Sequence, residues 1–316
     1  LNKKQLGNSA LMLPPIMFGG NVFGWTADPV TSLRLLDALL DAGLNAIDTA
    51  DAYSRWVPGH AGGESEAIIG VWLKQRGGRD KVIIASKCGL DMGPVKGTGL
   101  SKAHIVSAVE DSLVRLQTDY IDLYQAHRDD EATPLEETLE AFGQLVKQGK
   151  ARVIGASNYS AARLSQALEV SRKLGLPRFE SLQPLYNLAR REEFEGELEQ
   201  LCLSQNIGVI NYYSLAAGFL TGKYRPDSDF ANIKRSAAVQ RHSNPQGFAV
   251  VDALRAQAER LNATPAQVAI AWLIARPSIT APIASATSLE QLDGLVKAAQ
   301  LSLDREALEA LDAVKP

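Results

Sequence analysis

Eight short apolar runs, separated by stretches of helical period along nearly the whole chain, constrain this sequence more than any other feature. They are PPIMFGG (14–20), NAID (45–48), KVIIASK (81–87), YIDLYQAH (120–127), ARVIGAS (151–157), FESLQPLYN (179–187), GVINYYS (208–214) and SITAPIAS (278–285). Leu33, Leu36 and Leu40 mark one intervening helix, stopped by Gly43, and Gly62 to Gln75 reads as a second. Ser101 caps a third running to about Arg115, Pro134 opens a fourth that stops at Gly149, and Ser160–Leu174 and about Glu193–Ser204 follow. Strands connected through helices run parallel, because a parallel pair needs a crossover. Eight of them with connections of a few residues call for a single α/β domain, a (β/α)8 TIM barrel over residues 1–316, rather than a doubly wound sheet. KKQLGNSALML, two runs about a Gly7-Asn8 turn, predicts an N-terminal β-hairpin over residues 3–13. An amphipathic stretch from about Asp304 predicts an extra C-terminal helix.

Three of the runs end in ionisable residues. Asp48 closes the second, Lys87 the third and His127 the fourth, and Tyr53 follows Asp48 by five residues. Each has an ordinary explanation alone: a loop aromatic, a solvent anchor, a satisfied core histidine. Their joint placement at strand C-termini is what a parallel barrel produces when it builds an active site at one mouth. A buried Asp48 needs a cation nearby, and Lys87 is the candidate.

Composition narrows the partners. A net charge of −3 over 316 residues offers no basic surface for nucleic acid or membrane. Cys88 and Cys202 are too few for a disulfide framework or a structural zinc site, so no metal is expected. The start, LNKKQLGNSA, has no apolar targeting core, and no run approaches the roughly 18 apolar residues of a membrane span. The expectation is a soluble cytoplasmic protein.

Several motifs add to this frame: IDTADAY with GGESEAIIG, the Lys87 strand end, QAH at His127, GKARVIGASNYS, SLQPLYN, YYSLAAGFLTGKY and SATSLEQL. In that order and spacing they resemble the aldo-keto reductases, most closely bacterial members of the voltage-gated potassium channel β-subunit-like branch. The resemblance implies an NADPH-dependent reductase that delivers hydride to the carbonyl of an aldehyde or ketone, with Asp48, Tyr53, Lys87 and His127 as the catalytic tetrad. Tyr53 would donate the proton, and the Lys87 ammonium is expected to bring the phenol toward the working range. Asp48 would fix the amine, and His127 would orient the carbonyl.

The same resemblance assigns a cofactor site for NADP(H), with NAD(H) as the alternative. Tyr212, followed by Tyr213, matches the aromatic that stacks on the nicotinamide. Ser157, Asn158 and Gln183 match the groups that hold its carboxamide. Leu215, Gly218 and Lys223 fall in the loop that follows the pyrophosphate, and Ser285, Thr287, Ser288 and Gln291 near the adenosine phosphate. Two departures stand out. The usual Tyr-Ser-Pro-Leu reads Tyr212-Tyr213-Ser214-Leu215, and the arginine expected near the eighth strand is Ser288. The polar stretch 224–246, with Lys234, Arg235 and Arg241, is expected to be a long loop that either leaves these charges simply solvated or folds over the cofactor and supplies the missing cation. Phe23, Trp25, Trp56 and His60 are the candidate pocket liners and point to a small-molecule carbonyl substrate, an aromatic or aliphatic aldehyde rather than a highly charged one. Two other readings compete: a cofactor-binding regulatory module with slow turnover, and a barrel aldolase with Lys87 as Schiff base.

Overall fold

The computed structural model describes residues 1–229 and 235–314. A hairpin comes first, β1 (Lys4–Gln5) antiparallel to β2 (Met12–Leu13). Eight parallel strands follow: β3 (Met17–Gly19), β4 (Ala46–Asp48), β5 (Ile83–Cys88), β6 (Ile121–Ala126), β7 (Ala151–Ser157), β8 (Ser181–Gln183), β9 (Gly208–Val209) and β10 (Ile283–Ala284). They pair in chain order, and β10 returns to lie beside β3. A parallel bridge between Val209 and Ile279, with Ile283 N donating to Asn211 O at 2.9 Å, joins the last two and closes the ring. This is a (β/α)8 barrel.

The outer layer holds α1 (Pro29–Asp41), α2 (Glu64–Arg76), α3 (Lys102–Leu116), α4 (Leu135–Lys147), α5 (Ala161–Leu174), α6 (Glu197–Ser204), α7 (Ser236–Gln240), α8 (Pro245–Arg260), α9 (Pro265–Ala275), α10 (Leu289–Gln300) and the extra C-terminal α11 (Arg305–Ala313). Local chemistry sets their starts. Ser101, Ser160, Ser288 and Asp304 each accept from a backbone N–H of the first turn, and Thr264 with Gln267 forms a capping box. Among the described residues no helix is long and apolar enough to cross a membrane.

The strand period of two divides the barrel's interior into layers. Near the N-terminal end, Met17, Ala46, Ala85, Leu123 and Val153 form an apolar cluster with Leu6, Leu11 and Leu13 of the hairpin segment. The hairpin therefore plugs that end. Two residues further along, Asp48, Lys87 and Gln125 make the layer polar, with Gly155 leaving room among them, and Ser157 and Gln183 follow. The intervening residues Ile47, Ile84, Tyr124 and Ile154 belong to the larger core between strands and helices. At Gly155 a Cβ would lie 2.1 Å from Ser181 Oγ, so only glycine lets β7 and β8 share this layer.

Two segments differ from the sequence reading. The helix expected from Glu193 begins at Glu197, because Gly196, at φ +100°, breaks the chain direction just before it. The stretch 224–246 is not a plain loop. It contains α7, which buries Val239, and α8 starts from an Asn244 cap at Pro245. Lys234 lies outside the described residues.

Candidate active site

Lys87 is the organising residue of the polar layer. It is completely buried, yet its ammonium donates to Asp48 Oδ2 at 2.7 Å, to the Thr49 carbonyl at 2.8 Å and to the Tyr53 hydroxyl at 3.1 Å. All three ammonium protons are thus directed at oxygens, which is what a cation in a dry interior requires. Asp48 Oδ1 accepts from Gln183 Nε2 at 2.9 Å, so the carboxylate bridges two opposite strands of the ring. Burial lowers the Lys87 pKa, and the Asp48 carboxylate opposes that effect.

Tyr53 titrates opposite to expectation. The sequence reading has Lys87 bringing the phenol down, whereas its pKa lies well above the ordinary value. Burial acts first and the Asp48 carboxylate second. The ammonium's charge is compensated by the carboxylate in contact with it, which leaves desolvation to decide. His127, at the end of β6, is held neutral. Burial depresses it most, and the charges of Lys87 and Arg128 add to this. Its ring stands edge-on to Tyr53 at 5.9 Å between centroids, with Nδ1 buried and unpartnered.

A hydrogen-bonded shelf adjoins these four residues. Ser157 Oγ donates to Gln183 O at 2.9 Å; Asn158 Nδ2 donates to Ser157 Oγ and to His127 O, both at 3.0 Å. The Tyr212 hydroxyl donates to Asn158 Oδ1 at 2.8 Å, fixing a half-buried ring at the edge of the layer. Asn158 holds this position at φ +58°, a conformation asparagine tolerates better than most residues. Past Tyr212 the turn lacks proline and is fixed by bonds instead. The Tyr213 carbonyl accepts from Asn187 Nδ2 at 2.9 Å, and Ser214 Oγ donates to Ile283 O at 2.7 Å. Tyr213, Ala216, Ala217 and Gly218 all have positive φ there. Leu215 packs on the core, and the Lys223 ammonium lies 5.0 Å over the Tyr224 ring.

The region after β10 is occupied by helix capping. Ser285 Oγ donates to Asn21 Oδ1 at 2.8 Å, and Ser288 Oγ accepts from Gln291 N. The Thr287 amide and hydroxyl both donate to Gln291 Oε1, at 2.9 and 3.1 Å. Arg235, expected to reach this region, instead lies 4.8 Å over the Trp25 ring at the barrel mouth. Arg241 is exposed at the end of α7.

The mouth is aromatic. Trp25 meets Trp56 at 5.5 Å between centroids, and Trp56 meets Tyr53 at 5.6 Å. Phe23 is not part of this wall: it is fully buried and stacks on Phe18 at 5.5 Å, because its carbonyl is tied to Ser54 Oγ and its ring is turned inward. His60 is half-buried and faces Glu64, with Nδ1 3.9 Å from Oε2.

Sequence reasoning missed a buried cluster of ionisable residues behind the site. Asp51 and Glu66 are both buried, and Arg115 Nε donates to Glu66 Oε2 at 2.7 Å. The available signal was Glu66 itself, a carboxylate in register with Ile69 and Leu73 on the apolar face of α2.

The Aldo/keto reductase family model matches residues 15–316, and the chain belongs to that family. Its members are oxidoreductases that act on small-molecule carbonyls and generally use NAD(P)H. The chain is 34% identical over 320 residues to an uncharacterized oxidoreductase, YrpG, of Bacillus subtilis (strain 168), covering 98% of this chain and 95% of that protein. It is 33% identical to a probable voltage-gated potassium channel subunit beta of Oryza sativa subsp. japonica, with the same coverage. It is also 30% identical to protein tas of Escherichia coli (strain K12), over 98% of this chain and 96% of that one.

Proposed function

We propose that this chain, acting as one domain, reduces aldehydes and ketones with hydride from a reduced nicotinamide, and that Tyr53 donates the proton. The observation that carries this reading is the fully buried Lys87 ammonium bonded at once to Asp48, Thr49 and Tyr53. The shelf of Ser157, Asn158 and Gln183 beside the half-buried Tyr212 ring fits a planar carboxamide-bearing ring. A polar edge there meets groups already anchored to one another. A bound reduced nicotinamide supplies the hydride.

The remaining chemistry belongs to the protein. Because burial and Asp48 keep Tyr53 protonated, an O–H meets the carbonyl oxygen. As hydride reaches the carbonyl carbon, the C=O π pair moves onto oxygen, and the Tyr53 proton transfers to it. The phenolate left behind lies beside the Lys87 ammonium, and at that moment the cation acts on an uncompensated negative charge. His127, neutral, keeps an N–H with which to orient the same oxygen.

NADPH is the expected reductant, with NADH as the alternative. The Thr287 hydroxyl, already donating to Gln291, would discriminate weakly unless it releases that bond, while Ser288 Oγ accepts from the Gln291 amide and keeps its own proton to donate. The test joins turnover to binding. Tyr53→Phe should lower kcat for aldehyde reduction by roughly a hundredfold or more, while the Kd for each nicotinamide, read by fluorescence titration, stays close to that of the parent. Near-normal reduction by this variant would refute the assignment. The similarity to the rice protein supports a second reading, a cofactor-holding regulatory module. Steady multiple turnover of any carbonyl in a broad panel would count against it.

A further inference from the structure

The residue after His127 is an arginine whose surroundings differ from those of the acidic residues that follow it. Asp129 binds Arg163 Nε at 2.9 Å through each oxygen, and Asp130 accepts from Leu100 N at 2.8 Å and Thr133 Oγ1 at 2.7 Å. Both carboxylates closest to Arg128 in the chain are therefore committed elsewhere. Among the described residues Arg128 has no hydrogen bond or ion pair, and it is exposed.

Its position is set from two sides. It is joined by a peptide bond to His127, whose carbonyl accepts from Asn158 Nδ2, and Asn158 in turn accepts from the Tyr212 hydroxyl. Arg128 thus follows directly on the imidazole at the C-terminal mouth of the barrel, exposed, and near enough for its charge to act on both His127 and Tyr212. Burial is the main influence on both groups, lowering His127 and raising Tyr212, and the Arg128 charge pulls downward on each. Across the mouth stands the wall of Tyr53, Trp56 and Trp25, with Arg235 stacked on Trp25. A chain with a net charge of −3 thus sets two guanidinium groups about this opening.

We propose that Arg128 is a specificity-determining residue and that the preferred substrates are aromatic aldehydes bearing a carboxylate, held with the ring along Tyr53 and Trp56 and the carboxylate on the Arg128 fork. This rests on the reductase reading above. A guanidinium matches a planar carboxylate with two parallel N–H donors, and an unpaired one loses no existing ion pair when it engages substrate. The nearby tryptophan rings favour a flat apolar stem between aldehyde and acid.

The test uses a matched pair of probes, 4-carboxybenzaldehyde and methyl 4-formylbenzoate, which differ in charge but share the aldehyde and ring. In the parent the acid-to-ester ratio of kcat/KM should be about tenfold or more at low ionic strength and should shrink as salt rises. In Arg128→Gln the ratio should fall close to one. Arg128→Lys, which keeps the charge and loses the fork, should fall between. Equal kcat/KM for acid and ester in the parent, or a preference that survives Arg128→Gln, would overturn the role of Arg128 while leaving the reductase reading standing. If neither probe is turned over with either reduced nicotinamide while another carbonyl of a broad panel is, the Arg128 proposal fails alone; if no carbonyl is turned over, both fail.

Discussion

Replacing Asp51 by asparagine should stabilise this protein at alkaline pH and leave its stability nearly unchanged in acid. Asp51 is 3% exposed, and its Oδ1 is buried without a partner. Burial, followed by the neighbouring Glu66 carboxylate, pushes its pKa up to about 7, with Arg115 and Lys87 pulling the other way. Below pH 4 the folded and unfolded chains both carry the proton. As pH rises toward 7 the unfolded chain ionises and the folded one does not, so stability falls. Above 7 both are ionised and the loss is complete. The gap between the usual 3.8 and about 7 corresponds to roughly 4 kcal/mol at about 1.36 kcal/mol per pH unit.

The substituted amide cannot ionise, and it differs from the protonated acid only in carrying two N–H donors in place of one O–H, a difference that does not vary with pH. Asp51→Asn should therefore be more stable than the parent by roughly 3–4 kcal/mol at pH 9, about 6 °C in Tm for a chain of this length. The difference should disappear by about pH 4. Urea denaturation of the two proteins at four or five pH values measures it, and groups common to both cancel in the subtraction. A difference that is flat with pH, or one in which the variant loses stability as pH rises, would refute the account of Asp51 as a buried acid kept neutral by its surroundings.

Two further outcomes follow from the geometry. Because Tyr53 is held well above the ordinary phenol value by burial and by Asp48, the rate of aldehyde reduction should show no loss from Tyr53 ionisation up to about pH 10, the unperturbed phenol value; a basic limb near neutrality that vanishes in Tyr53→Phe would contradict this. At Gly70 an added Cβ would lie 2.1 Å from the Arg115 carbonyl, so Gly70→Ala should force α2 from α3 and cost about 1–3 kcal/mol. Thermal denaturation reads that loss directly, and an unchanged Tm would show that the helix pair separates freely.

The barrel was legible because its signal is periodic. Apolar runs and helix caps such as Ser101, Ser160 and Thr264 report on residues near in sequence, and the hairpin turn at Gly7-Asn8 does the same. Asp48, Lys87 and His127 could be placed at one mouth because strand parity and barrel direction fix where a strand's last residue points. What could not be read was pairwise. Phe23 and Trp25 are two residues apart on one loop, and only packing against Phe18 sends the first into the core and leaves the second at the mouth. Arg235 was expected beside Ser288 on the grounds of charge, yet it lies over Trp25.

The sign of the Tyr53 shift shows the same division at the level of energies. From sequence, an amine and a phenol near each other imply a lowered phenol pKa, and the attraction is present at 3.1 Å. The amine, however, spends its charge first on Asp48 at 2.7 Å, and the carboxylate then acts on the phenol with the opposite sign. With the two charges nearly compensating, desolvation is the largest remaining influence, and desolvation depends on how many chain segments cover the ring. Trp56 covers it from three residues along the same loop, but His127 approaches from the end of β6, a segment that sequence spacing alone does not bring to the ring. The resting site therefore holds its proton on Tyr53, and in the mechanism proposed above the Lys87 charge would gain its leverage only when a new negative charge appears beside it.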